Sequence, residues 1–410
     1  MLEEIQRLSR HFLKIKNAAY RRYLIRTATF NHRLSIIIGQ RGVGKTTTLV
    51  QSLLDNVQGD HFDPRILYVQ VDHFQVSNMH LYKIAEQFLA LGGKWLAFDE
   101  IHKYPQWSQE LKSIYDTFPD LTILASGSSA LEIYRGSHDL TRRALCYPMQ
   151  GLSFREFLEL TLHIKLPTLT LEDICQQHER HTESILEQLS LVKKKILPEF
   201  YRYLKVGYYP FLYELHDEVA YGMILEQNLH ATIESDLVAI HPHLTGITIA
   251  KLKQLVVYIA NSVPFTPNWS KIKEVLEVGD LRTLKSYFKL LEDASLVRSI
   301  ARSTEKFNQL ESPEKIYLDN PNQLFAIASG SPEKGTVRET YFLNMLSQGH
   351  TVKASKQGDF AIDDSYLFEV GGRKKTFEQV RLQKNAYLAC DDIEQGAGNK
   401  IPLWLFGLLY

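Results

Sequence analysis

The chain has 410 residues, enough for two or three domains with separate apolar cores, and 44% of them are hydrophobic. Lys and Arg total 47 and Asp and Glu total 47, so the formal net charge is zero, which excludes a globally basic nucleic-acid binder and leaves only local patches. The three cysteines, Cys146, Cys175 and Cys390, lie far apart without metal-ligand spacing; no zinc site is readable, and a reducing compartment is expected.

The first residues, Met1-Leu2-Glu3-Glu4-Ile5-Gln6-Arg7, carry acids where a signal peptide needs an apolar core, and no run of about twenty apolar residues follows. A cytoplasmic location without membrane contact is the expectation. Residues 1–30 look helical and basic, with Arg21, Arg22 and Arg26 placed to brace the domain that follows or to cover its base site. Residues 34–38 are apolar and β-branched, as in a buried parallel strand, and residues 47–54 open a helix. Between them Gly39-Gln40-Arg41-Gly42-Val43-Gly44-Lys45-Thr46 fits the P-loop pattern G-x-x-x-x-G-K-[ST], with Thr47 next in the helix. On such a turn backbone N–H groups converge on phosphate oxygens, Lys45 reaches the β- and γ-phosphates, and the Thr46 hydroxyl ligates Mg²⁺. The expected ligand is a nucleoside triphosphate with magnesium.

Further strands are expected at 66–72, 95–100 and 121–126, alternating with helices, which indicates a parallel α/β sheet covered on both faces. Asp99-Glu100 ends the third of the four strands: Asp99 suits a Mg²⁺-holding carboxylate and Glu100 a group that polarises the attacking water, with a helix cap as the alternative. Ser126 and Ser128, ending the fourth, are candidates to sense the γ-phosphate, although Ser128 or Ser129 can equally cap a helix at 130–134. Arg142 and Arg143 can supply transition-state charge, in cis or from a neighbouring subunit, or stand solvated or paired with Asp139.

From 156 to about 240 the pattern is helical, as in a lid and connector. Three helical stretches at 249–262, 270–276 and 281–293 and a strand at 296–300 follow winged helix-turn-helix order. Arg282, Lys285 and Lys289 are left on exposed positions of the third helix, where they meet DNA phosphates or serve only as a solvated face, the domain then making packing or oligomer contacts. The last segment, 313–410, has strands at 315–318, 359–362 and 366–370.

Gln-Arg-Gly-Val-Gly-Lys-Thr at 40–46, Phe-Asp-Glu-Ile-His-Lys at 98–103, Trp107, Ala-Ser-Gly-Ser-Ser at 125–129 and Leu-Ser-Phe-Arg-Glu-Phe at 152–157 together resemble prokaryotic AAA-type ATPases with a C-terminal domain of unknown function. The resemblance continues through Ile233-Glu234-Ser235-Asp236-Leu237, residues 283–292 and Ile316-Tyr317-Leu318-Asp319-Asn320. It implies an ATPase domain, a winged helix and a restriction-endonuclease-like α/β domain, which with the pattern along the chain gives an ATPase domain at 1–155, a helical lid and connector at 156–245, the winged helix at 246–312 and the nuclease-like domain at 313–410. It also implies ATP as the nucleotide, in keeping with the lack of an Asn-Lys-x-Asp motif, and identifies Arg143 as the arginine of the family's Gly-Arg pair. Here Arg142 replaces the glycine of that pair, and Gly151 replaces the usual proline before Leu152-Ser153-Phe154.

In restriction-type nucleases an Asp at one strand start and Glu-x-Lys on the next hold Mg²⁺ and position water. Asp359 and Glu369 fit that spacing as a second metal site and Glu339 can add an acid, but Gly371 occupies the lysine position, with Lys374 and Lys375 nearby. A degenerate nuclease fold used for binding is the expectation, with an active nuclease and plain structural residues as the alternatives. The function expected for the whole is Mg²⁺-dependent hydrolysis of ATP to ADP and phosphate, coupled to movement of the C-terminal domains. The alternatives are a nucleotide-gated module for a protein or DNA partner with little turnover, or a DNA nuclease. Oligomeric state is open, because an Arg143 acting in trans requires assembly.

Overall fold

In the computed structural model residues 2–77, 79–128, 140, 142–215, 217–262, 266–301, 313–375 and 385–410 are described. The chain divides into two units: Met1–Gly151 with Ala231–Thr245 and Asp293–Ser295, and Leu152–His230 with Gly246–Glu292 and Leu296–Tyr410. Among the described residues no helix is long and apolar enough to cross a membrane.

The first unit runs α1 (Leu2–Ile15), α2 (Tyr23–Thr27), β1 (Leu34–Gly39), α3 (Lys45–Asp55), β2 (Ile66–Gln70), α4 (Leu81–Ala90), β3 (Trp95–Asp99), α5 (Trp107–Thr117), β4 (Thr122–Ser128) and β5 (Leu145–Pro148). These strands form one parallel sheet in the order β2-β3-β4-β1-β5. Every residue of β1 is buried, as the β-branched run requires, and Ile36 and Ile38 join Leu67, Val69, Leu96, Phe98 and Ile123 in one core. Truncating such a side chain to alanine costs about 2–5 kcal/mol, so the sheet is a rigid platform. Register then aligns the functional ends: Gly39 pairs with Ser128, Phe98 with Ala125 and Gln70 with Asp99. The P-loop, Asp99 and Ser126 therefore emerge at the carboxyl edge of the sheet, where open α/β folds bind ligands.

The second unit opens with α6 (Phe154–Leu162), α7 (Leu171–Leu191), α8 (Ile196–Val206), α9 (Leu212–Leu215) and α10 (Glu218–Ala231). The chain then re-enters the first unit as a π-helical turn, Thr232–Asp236, and α11 (Leu237–Ile240). Next come α12 (Gly246–Ala260), α13 (Trp269–Val275), α14 (Leu281–Asp293), β6 (Val297–Ile300) and β7 (Lys315–Leu318). The three helices stand within a few residues of the expected stretches. The strand at 315–318, read from the sequence as the start of the last segment, is instead the antiparallel partner of β6, with Val297 opposite Leu318. Apolar alternation marks a strand but not its partner, so the pairing was not legible.

After α15 (Pro321–Ile327) and α16 (Lys334–Leu346) follow β8 (Val352–Ala354), β9 (Phe360–Ile362), β10 (Tyr366–Gly371), β11 (Ala386–Cys390) and β12 (Lys400–Pro402). They form a mixed sheet, β12-β11-β10-β9-β8, antiparallel from β8 to β10 and parallel from β10 to β12. The sequence reading had only β9 and β10 of these five.

The Leu-Ser-Phe-Arg-Glu-Phe block does its work in packing. Ser153 and Glu156 close a capping box on α6. Phe154 and Phe157 sit against Tyr203, with Phe154 also on Phe200. A side chain at Gly407 would collide with Phe154 and the Tyr341 hydroxyl. Arg155 is 1% exposed and pairs with buried Glu159 at 2.9 Å while donating from Nε to the Tyr410 carbonyl at 3.0 Å. Arg155→Ala strips the charge partner from a buried carboxylate and is expected to cost the second unit about 3–5 kcal/mol, read as a lowered urea midpoint.

Candidate functional site

The P-loop has the backbone its glycines allow. Gly42 and Gly44 take φ of 84° and 101°, left-handed values open to glycine at no side-chain cost, and Gly44 is the N-cap of α3. At Gly39 a Cβ would collide with the Met149 carbonyl, so strand and loop can approach only because that residue has no side chain. Lys45 is buried, and its Nζ donates to the carbonyls of Gly39 and Gln40 at 2.9 Å each. Arg22 is the brace: its guanidinium donates to the Val43 and Gly151 carbonyls at 2.6 Å and to that of Gln150 at 3.1 Å. Gln40 donates to the Ser295 carbonyl. Thr47 lies half-buried in the first turn of α3.

Asp99, 2% exposed at the end of β3, collects donors from four places. Thr46 Oγ1 donates to Oδ2 at 2.7 Å, Tyr68 OH to Oδ2 at 2.5 Å, the Glu100 amide to Oδ1 at 3.2 Å, and Ser126 Oγ to Oδ1. The Thr46 hydroxyl and the Asp99 carboxylate thus stand side by side as two hard oxygens, the donor type a magnesium ion takes. Tyr68 was missed in the sequence, where an aromatic in a buried strand reads as core. Burial first, then the Asp99 charge and hydrogen bond, push its hydroxyl pKa far above the ordinary range, so it remains a donor.

Glu100 adopts a left-handed backbone, φ 57° and ψ 39°, with its amide also donating to Ser126 Oγ at 3.2 Å. A non-glycine residue in that region is strained, and such strain concentrates at functional sites. Ser126 is accordingly placed on Asp99 and the Glu100 amide. Ser128 is buried and gives its N–H to His102 Nδ1 at 3.2 Å, while Ser129 and the proposed helix at 130–134 lie outside the described residues.

Two cations and a histidine converge on Asp236, 2% exposed in the π-helical turn. Arg41 of the P-loop is 2.7 Å away, Lys103 is 2.6 Å away, and His102 Nε2 stands 3.5 Å from the same oxygen and 3.6 Å from Glu100 Oε2. Burial pushes the Asp236 pKa up, but the nearby His102 ring, the hydrogen bond from Lys103 and the Arg41 charge outweigh it and hold the carboxyl well below the usual range. A cavity of about 540 Å³ is lined by Arg41, Thr46, Asp99, Glu100, Lys103 and Ser235, together with Lys16, Tyr68, Gln70 and Asp72. Its mixed charges suit a polyphosphate with a metal ion.

Arg142 is exposed, and Arg143 is a paired arginine whose partner is Asp116 of α5, at 2.7 and 2.9 Å; Asp139 lies outside the described residues. In the second unit Asp359, just before β9, and Glu369 on β10 come with two lysines. Lys315 Nζ bridges Glu339 and Asp359 at 3.1 Å each, and Lys375 Nζ meets Glu369 Oε1 at 2.5 Å. A Cβ on Gly371 would fall 2.7 Å from the Lys375 side chain, which thus fills the space beside the expected lysine position. Burial and the Asp359 charge raise the Glu339 pKa, Lys315 and Tyr317 opposing them. Among the described residues no group of three or more His, Cys, Asp and Glu side chains is arranged to hold a metal ion.

Residues 31–158 match the family model of an AAA domain, and residues 197–324 match that of a domain of unknown function (DUF8612). Residues 31–158 are therefore similar to an AAA domain. Among curated proteins the chain is 28% identical over 374 residues to the uncharacterized protein MJ1637 of Methanocaldococcus jannaschii, covering 85% of this chain and 77% of that one. Similar solved structures include AMPPCP-bound DnaA from Aquifex aeolicus, 16% identical over 72% of this chain and 91% of that chain, with a TM-score of 0.26. Another is the Aeropyrum pernix ORC1 protein in complex with DNA, 13% identical over 83% and 91%, with a TM-score of 0.29.

Tyr68→Phe removes one of the hydrogen bonds to a buried carboxylate. It is expected to lower the stability of the first unit by about 1.5–3 kcal/mol, measured by urea unfolding.

Proposed function

We propose that the first unit binds ATP with Mg²⁺ and hydrolyses it to ADP and phosphate, and that nucleotide state is passed to the second unit. The observation that carries this reading is the Thr46–Asp99 hydrogen bond at 2.7 Å, with Glu100 next in the chain, in one cavity with the P-loop. Gly39, Gln40, Arg41, Gly42, Val43, Gly44 and Thr47 would contribute the phosphate cradle, and Lys45 would exchange its loop carbonyls for phosphate oxygens. Thr46 and Asp99 would hold the metal, which when bound neutralises charge developing on the transferring phosphoryl group. Glu100, whose side chain is 26% exposed at the cavity, would orient the attacking water and take its proton. Ser126 would act by positioning Asp99 and Glu100, and Ser128 by fixing His102. Arg143, occupied by Asp116, takes no step in this reading.

For the second unit, α12–α14 with the β6–β7 ribbon supports a winged helix, and α16 followed by the β8–β12 sheet supports a restriction-endonuclease-like scaffold. Lys315 and Lys375 among Glu339, Asp359 and Glu369 favour a scaffold without metal chemistry, since each carboxylate already has an ammonium partner. DNA held through Arg282, Lys285 and Lys289, or a protein partner, is the class of target such a unit would serve.

Phosphate release from ATP with Mg²⁺ tests the first reading. Lys45→Ala is expected to abolish binding, and Glu100→Gln to keep binding but slow turnover by about 100-fold or more; turnover unchanged by both would sink it. Incubation of the full chain with single- and double-stranded DNA and Mg²⁺ or Mn²⁺ is expected to leave the DNA intact, and cleavage abolished by Asp359→Ala would overturn the second reading.

A further inference from the structure

Asp236 is more than phosphate chemistry requires. It lies in a segment, Ala231–Thr245, that belongs to the first unit although the chain on either side belongs to the second. Its turn is π-helical, a local distortion that is frequent at functional sites. Its partners come from two stretches beside the cavity: Arg41 from inside the P-loop, and His102 and Lys103 from the residues just after Glu100. Arg41 and Lys103 line the cavity with Thr46, Asp99 and Glu100, so two of the cations on its wall are held by a protein carboxylate. His102 Nε2 is buried without a hydrogen-bond partner, set between Asp236 and Glu100.

A buried carboxylate that holds two cations on the wall of a polyphosphate site competes with the polyphosphate for them. We propose that Asp236 is the positioning residue that reads the γ-phosphate: a bound triphosphate draws Arg41 and Lys103 away from Asp236, and a diphosphate leaves them in place. Released, Asp236 keeps only His102, and the π-helical turn loses the anchors that hold it in the first unit. The turn is covalently continuous with α10, so a change at the phosphates becomes a change at the chain crossing into the second unit. A ligand shifts such an equilibrium only through its differential affinity for the two arrangements, and the extra phosphate provides that difference. The proposal deepens the ATP reading and rests on it.

The test is amide hydrogen exchange of the full chain over residues 231–241, in AMPPNP with Mg²⁺, in ADP with Mg²⁺ and without nucleotide, alongside AMPPNP affinity by calorimetry. Wild type is expected to exchange faster at 231–241 with AMPPNP than with ADP. Asp236→Asn is expected to bind AMPPNP about fivefold or more tightly than wild type, because the competitor is weakened, and to lose the AMPPNP–ADP difference. An exchange difference that survives Asp236→Asn, or affinity that fails to rise, overturns the proposal. Should Asp236→Asn melt below the assay temperature, Lys103→Ala carries the same test: the exchange difference shrinks, and an undiminished one overturns the proposal. Wild type that binds no AMPPNP overturns both readings, whereas binding abolished by Lys45→Ala together with an unchanged response in Asp236→Asn overturns the switch alone.

Discussion

Asp99 is an ionisable carboxylate almost wholly removed from water at the end of a buried strand, and such a group is tolerated only when its oxygens are met by donors. The donors come from α3 through Thr46, from β2 through Tyr68, from β4 through Ser126 and from the next peptide through the Glu100 amide. One carboxylate therefore ties the P-loop helix to three adjacent strands of the sheet. The left-handed backbone at Glu100 belongs to the same constraint, because its amide is shared between Asp99 and Ser126.

The protein holds its two groups of carboxylates in chemically different ways. Around Asp99 the donors are hydroxyls and an amide, all neutral, so they set its geometry without bringing an opposite charge. Around Glu339, Asp359 and Glu369 the donors include two ammonium groups, which neutralise as well as orient. The first arrangement leaves the carboxylate without an ammonium among its hydrogen-bond donors, whereas the second gives each carboxylate one. Asp236 is a third case, a carboxylate whose cationic partners line a cavity and so remain open to competition by a stronger anion.

Motifs with the same apparent status in the sequence serve different ends. In Phe98-Asp99-Glu100-Ile101-His102-Lys103 the polar residues face one another and the cavity, the last two on Asp236, while Phe98 and Ile101 belong to the core. Leu152–Phe157 is a packing motif, with a capping box, two buried rings and a buried Arg155–Glu159 pair. Spacing and residue type did not separate the two, because a buried arginine and a functional arginine are written with the same letter.

The glycines of the P-loop, the apolar strands and the Asp99-Glu100 pair were legible without any structure, since each rests on local physics: a left-handed turn needs glycine, and a parallel strand covered on both faces needs an unbroken apolar run. The helices at 246–293 were legible for the same reason, through their period. Tertiary structure alone decided which distant groups share a charge. Tyr68 meets Asp99 across two strands, Arg22 meets Val43 and Gly151, and Asp236 arrives from nearly two hundred residues beyond Arg41. It alone paired β6 with β7 and put Lys375 in the space beside Gly371. Local propensity fixes what an element is, but desolvation of a charge is settled by whatever the folded chain brings against it, and that depends on the whole topology at once.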